Sequence, residues 1–200
     1  ELSRMKESND YRIAPGNYLG LVYPVHAWGP PKIVLVFIDK MVISDSNSYV
    51  FSIATCAEEE GRTTDMIGRH LEKNGLTLAS AFTVIMPNSY ILGYDAEPEE
   101  IVEEKLAAAD LKIWDILRIL EKKEVGVFDT IPGSMPLIRS GIVNRLFKGF
   151  ARDNRRFTVN DNCDGCGLCQ EICPMHSISV AEKPRWSGDC TMCLACLNRC

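Results

Sequence analysis

The apolar residues of this chain fall into two patterns, short continuous runs and longer stretches spaced by three and four. "YLGLVYPV" (18–25), "YVFSIATC" (49–56) and "LASAFTVIMP" (78–87) are continuous runs with few charges. They predict strands covered on both faces of a parallel sheet, because a strand open to water on one face alternates instead. Between the second and third run, "GRTTDMIGRHLEKNGL" sets Met66, Ile67, His70 and Leu71 on one helical face, with Thr63 or Thr64 as cap and Gly75 past the end. "PPKIVLVFIDKM" (30–41) reads both ways: Val34, Phe37, Ile38 and Met41 suit a helix, the β-branched run a strand. Its place between two parallel strands favours the helix. Residues 98–123 predict a long amphipathic helix packed back on the sheet. Pro98 falls in its first turn, Glu99 and Glu100 favour the helix dipole, and Val102, Leu106, Ala109, Ile113, Leu117 and Leu120 form the stripe. This is the grammar of an α/β domain.

From 124 onward the pattern changes. "FDTIPGSMP" reads as a turn-rich linker, and "LIRSGIVNRLFKGFARD" as a connector helix of mixed apolar and basic residues. Arg145, Lys148, Arg152, Arg155 and Arg156 could instead form a basic face that docks an anionic neighbour. The expected division is 1–125, a front domain; 126–153, linker and connector; and 154–200, a small cysteine-rich domain.

Composition narrows the class. The chain has 200 residues, 46% hydrophobic, with a formal charge of −5. No apolar run reaches the roughly 18 residues of a membrane span, and the first twenty lack the order of a signal peptide. A cytoplasmic protein is expected. Without a Lys/Arg-dense run, nucleic acid is not an expected partner. Of the nine cysteines, all but Cys56 lie at or beyond Cys163, a local device unlike the scatter of a disulfide-stapled secreted chain. The sequence opens on Glu1 rather than Met and closes on a cysteine, so an excerpt of a longer protein is expected.

The late cysteines spell one phrase twice, C-x2-C-x2-C-x3-C: Cys163, Cys166, Cys169, Cys173, then Cys190, Cys193, Cys196, Cys200. Thiolates at i, i+3 and i+6 can curl round a compact inorganic cube. Small residues such as Gly165 and Gly167 let the backbone turn tightly and aim amides at sulfur. Structural zinc usually asks for two separated pairs, and three cysteines in seven residues over-supply one tetrahedral ion. Segment 154–200 closely resembles bacterial two-cluster ferredoxins, including Pro174 after the fourth cysteine. That resemblance implies a small α+β domain in which Cys163, Cys166, Cys169 and Cys200 hold one [4Fe-4S] cluster and Cys190, Cys193, Cys196 and Cys173 the other. It also implies that the clusters serve as much of the domain's core.

"GLVYPVHAWGPP" and "YVFSIATC", with their strand-and-helix repeat, resemble the middle of a flavodoxin-like domain. Together the two halves resemble the flavodoxin/ferredoxin fusion proteins of anaerobic bacteria and archaea, the EFR-type ferredoxin family. The resemblance implies a doubly wound parallel sheet of order 2-1-3-4-5 and an FMN cofactor. The Ser/Thr-Gly phosphate loop and first strand of that family are absent from the sequence, so a gap is expected beside the strand at 18–25, and weak FMN binding by residues 1–200 alone.

Ligands of such sheets sit at the carboxyl ends of the strands, which selects loops 24–31 and 55–62. Trp28 could stack on a flavin ring or serve as a core or lid tryptophan; Gly29, Thr55, Cys56 and Gly61 would offer close backbone contacts. His26 could reach the ring or be solvated, and Cys56 could simply be a small buried apolar residue. "AEEEG" (57–61) is an unfavourable neighbour for a reduced, anionic flavin. The expected function is one-electron transfer through two [4Fe-4S] clusters, to or from an FMN in the flavodoxin-like domain, with redox proteins that carry basic docking faces as partners. A flavin-dependent reductase and a redox-sensing iron–sulfur module are the alternatives, both weakened by the absence of a dinucleotide fingerprint, a catalytic dyad or a nucleic-acid patch.

Overall fold

The computed structural model describes residues 16–41, 48–92, 95–151, 154, 157–188 and 190–200. Residues 1–15 and three members of the suggested basic face, Arg152, Arg155 and Arg156, lie outside them. Three strands fall where the apolar runs place them: β1 Tyr18–Pro24, β2 Tyr49–Cys56 and β3 Leu78–Ile85. They are parallel and ordered β1-β2-β3, and a short fourth strand, β4 Val127–Asp129, adds parallel to β3. This strand takes three residues from the predicted linker into the sheet.

The expected gap beside β1 is absent. β1 pairs directly with β2 over seven residues, from Tyr18↔Tyr49 to Pro24↔Thr55. Without an intervening strand in the described residues, the two neighbouring runs satisfy each other's backbone groups.

Three helices cover the sheet: α1 Lys32–Lys40, α2 Thr63–Lys73 and α3 Glu99–Glu121. The ambiguous 30–41 run is helical, burying Val34 and Ile38. Together α1 and α2 pack on one face over Leu21, Tyr23, Val50 and Ala54. On the other face α3 packs over Tyr49, Phe82 and Val84. Every step from β1 to β4 crosses the sheet in the same direction, so moving α3 to the opposite face gives its connection the opposite hand to the two before it. One helix cannot cover that whole face. On β1, Leu21 and Tyr23 are buried whereas Val22 is 67% exposed, so β1 alternates where its continuous run predicted cover on both sides. The stripe on α3 is also rotated: Ala109, Ile116 and Leu120 are buried, while Leu106, Ile113 and Leu117 lie on its exposed flank.

The ends of α2 follow different rules. Its C-terminus closes as the sequence predicts, with Gly75 at φ +72 and Leu76 N donating to Leu71 O at 3.0 Å. Its N-terminus is not capped by Thr63 or Thr64. The Glu60 carboxylate accepts from Thr64 N instead, at 3.3 Å, satisfying one of the helix's orphan donors.

After β4 a connector, α4, runs through the turns Pro136–Ile138, Arg139–Val143, Asn144–Leu146 and Phe147–Ala151, the second and fourth of them π-helical. The cysteine-rich segment follows, with short helices α5 Leu168–Glu171 and α6 Ala195–Asn198 beside an antiparallel hairpin, β5 Ile178–Val180 and β6 Pro184–Trp186. It is joined to the front domain near the carboxyl edge of the sheet. Ile33, in the first turn of α1, packs on the Cys173–Met175–Ile178 core, and Asn198 Nδ2 donates to Ser89 O at 3.0 Å. Among the described residues, no helix is long and apolar enough to cross a membrane.

Candidate functional site

The two cysteine phrases fold as local copies. In each, a loop carrying the first two cysteines enters a short helix whose first turn holds the third. Gly167 O accepts from Gln170 N and Glu171 N at 2.9 and 3.1 Å, and Leu194 O accepts from Leu197 N and Asn198 N at 2.9 and 3.0 Å. The loop residues at matching positions share the left-handed conformation: Gly165 and Gly167 at φ +74 and +81, Met192 and Leu194 at +58 and +57. Glycine takes this geometry without strain, but methionine and leucine do not.

Backbone amides point at sulfur in both copies. Met192 N donates to Cys190 Sγ at 3.3 Å, and Ser177 N donates to the buried Cys173 Sγ at 3.4 Å. The fourth cysteine of the first phrase leaves its own loop and joins the second: Cys173, Cys190, Cys193 and Cys196 line one apolar hollow with Met175 and Trp186. Its empty volume is ≈ 330 Å³, part of it open solvent. Burial pushes the Cys190 and Cys196 thiols up, and neighbouring cysteines, Cys173 among them, push in the same direction. Cys169 is raised by burial too, with Cys196 among the contributing charges. Cys166 and Cys200 are exposed.

No three His, Cys, Asp or Glu side chains among the described residues are grouped to hold a single metal ion. Four soft sulfur donors lining one apolar hollow are a donor set that suits an iron–sulfur body.

Residues 158–179 match the 4Fe-4S binding domain family, Fer4. No curated protein and no solved structure matches the chain. The matched 4Fe-4S segment contains Cys163, Cys166, Cys169 and Cys173, the whole of the first phrase, and supports at least one cluster and an iron–sulfur electron-transfer role. Such a cluster supplies a one-electron couple tuned by hydrogen bonds to sulfur and by burial.

The loops singled out for a flavin ring lie at the ends of β1 and β2, where they meet the connector. Trp28 Nε1 donates to Glu59 Oε1 at 2.7 Å, and Arg139 both pairs with that carboxylate and lies over the indole. Ser140 Oγ donates to Trp28 O at 2.7 Å and accepts from Arg62 N at 2.8 Å. Asn144, buried on α4, donates from Nδ2 to His26 O and Ala27 O, each at 2.9 Å. Ala27 and Trp28 are held at φ +46 and +61, a strained pair fixed by these surroundings. Gly29 and Gly61 do permit close approach, but Asn144 and Ser140 are what approach them. Arg139 thus occupies one face of the indole on which an isoalloxazine ring could stack.

The three glutamates of "AEEEG" do different things. Glu58 is exposed, Glu59 anchors Trp28, Arg139 and Ser134 N, and Glu60 is 1% exposed with Thr83 Oγ1 donating to its Oε2 at 2.8 Å. Burial raises Glu60 above the ordinary carboxylate value, against the hydrogen bonds from Thr64 and Thr83. Cys56 is buried, its thiol pushed up to about 11 by burial and then by Glu60. Thr55 contributes backbone, its O accepting from Val25 N at 2.8 Å. The sequence reading missed Arg139, Ser140 and Asn144, because polar residues in a π-helical connector leave no periodic signal. Of the basic face, Arg145 is exposed and Lys148 half-buried.

Proposed function

We propose that this chain is an iron–sulfur electron carrier holding two [4Fe-4S] clusters. Cys173, Cys190, Cys193 and Cys196 hold one, and Cys163, Cys166, Cys169 and Cys200 the other. The observation that carries the reading is Cys173, which belongs to the first phrase by sequence and lines the hollow of the second. Crossed ligation of this kind staples the two copies together, and the four thiolates of each cube leave it a one-electron centre with no need of a general acid or nucleophile. The division into a front domain (1–125), connector (126–153) and two-cluster domain (154–200) belongs to the same proposal, as do redox partners with basic faces, suited to an acidic chain.

Iron and acid-labile sulfide in protein purified without oxygen test it. About eight of each per chain are expected, without stoichiometric zinc. One tightly bound zinc and no sulfide would end the reading.

FMN is the finer part of the proposal. Its support is the flavodoxin-like resemblance and the position of loops 24–31 and 55–62 at the carboxyl ends of β1 and β2. Stacking on the face of Trp28 that Arg139 covers requires the guanidinium to leave it, and flavin content of the purified protein tests the proposal.

A further inference from the structure

The two cysteine loops are copies in backbone but opposites in surroundings. In the second, Thr191, Met192 and Leu194 are buried, the last two only 4% and 2% exposed. At the matching positions of the first, Asp164 is exposed, Gly165 and Gly167 have no side chain to bury, and Cys166 itself is exposed. Leucine and methionine are strained in the left-handed conformation, where glycine is not. Burial of both side chains offsets that strain, so the second loop is built to be enclosed and the first to be bare.

Two contacts with the front domain fall on the enclosed side. Ile33 reaches the core formed by Cys173, Met175 and Ile178, against which Cys196 also packs. Asn198, two residues past Cys196, is tied to Ser89. Cys169, the third cysteine of the first phrase, packs on that same core and so lies between the two copies.

We infer that electrons enter and leave this chain over the bare loop 163–169, where a one-electron protein carrier docks, while the cluster on Cys173, Cys190, Cys193 and Cys196 is an inner centre reached through the first. This rests on the two-cluster reading. In each exchange the docked carrier would give or take one electron at a cluster held by Cys163, Cys166, Cys169 and Cys200, a one-electron couple that needs no bond made or broken. Gly167, with nothing within 4 Å of where a β-carbon would stand, lets a partner approach the backbone of this loop closely, whereas the matching space at Gly165 is taken by Glu182 O.

The test uses the wild-type protein with its clusters in place and ferricyanide as a soluble one-electron oxidant. Brief treatment, alkylation of the thiols released and peptide mass mapping show which cube is reached first. Label is expected on Cys163, Cys166 and Cys169 before Cys190, Cys193 and Cys196. Reversed or simultaneous labelling overturns the inference. Iron and sulfide measured on the same sample before oxidation test the underlying reading separately. Fewer than two cubes removes that reading and the inference with it, whereas two cubes labelled in the wrong order remove the inference alone.

Discussion

Arg139 lies over the indole of Trp28, its guanidinium carbon 5.0 Å from the ring centroid, and both side chains converge on the carboxylate of Glu59. The same carboxylate accepts from Ser134 N at 3.0 Å. One side chain thus joins the end of β1, the end of β2 and the connector. Glu59→Ala leaves an indole N–H, a backbone N–H and a cation without their acceptor, and should cost about 1–3 kcal/mol of stability. Denaturant unfolding checks this, with Trp28→Phe as the reference for the indole's own share. An unchanged midpoint would show that the three segments are held by packing alone.

Arg139 also bears on the flavin. If FMN stacks on the face of Trp28 that Arg139 covers, the guanidinium stands in the ring's place. Arg139→Ala should then bind FMN more tightly than the wild type in a fluorescence-quenching titration. Equal or weaker binding by the variant would remove that face of Trp28 from the flavin proposal.

Glu60 gives a pH dependence of definite sign. Its folded value lies above the ordinary 4.5 because burial disfavours the charge. Protonated Glu60 therefore contributes stability at low pH, and this contribution is lost as pH rises from 4.5 through the folded value. Glu60→Gln keeps an acceptor for Thr83 and cannot ionise. Relative to the variant, the wild type should lose stability with rising pH over that window and run parallel to it above. Parallel curves throughout would mean that Glu60 titrates in the fold as it does in the unfolded chain.

Much of this was legible in the sequence, for reasons that also explain what was not. Strands 18–24, 49–56 and 78–85 stand out as continuous apolar runs, and helices 63–73 and 99–121 carry long periodic signals. Val127–Asp129 is too short to carry one, and it pairs only because β3 has an open edge there. The rotated stripe on α3 has a similar origin, since apolar residues surround much of that helix and the sheet's geometry chooses among them. The cysteine spacing showed the sulfur-rich centre, and the fold adds Cys173's place beside the second phrase. What spacing cannot show is enclosure. Met192 and Leu194 reveal it only when their burial is seen beside the exposure of their counterparts.

Cys173→Ala separates crossed from local ligation. Cys173 lines the hollow of Cys190, Cys193 and Cys196, so its loss should spoil the second phrase's cluster and spare the first. Electron paramagnetic resonance of the reduced variant, compared with Cys166→Ser, distinguishes the two signals. Loss of the same signal in both variants would return Cys173 to its own phrase.

Leu194 offers a test of strain against burial. At φ +57 a β-carbon is unfavourable, yet the side chain is 2% exposed. Leu194→Ala keeps the backbone penalty and loses the burial, so it should cost about 2–5 kcal/mol, as large-to-small core changes do. Leu194→Gly loses the same burial but relaxes the backbone, and should recover about 1 kcal/mol relative to alanine despite glycine's freedom in the unfolded chain. The expected order is wild type, then Gly, then Ala, the reverse of what an ordinary buried helix position gives for the last two. Gly167→Ala is the control in the other copy: it adds a β-carbon at φ +81 with nothing nearby to bury it, and should destabilise through the backbone alone. The decay of cluster absorbance at fixed denaturant measures all three. If Leu194→Ala outlasts Leu194→Gly, the left-handed turn at 194 is not the strained copy of the one at Gly167, and the argument that leucine is there for enclosure loses its physical basis.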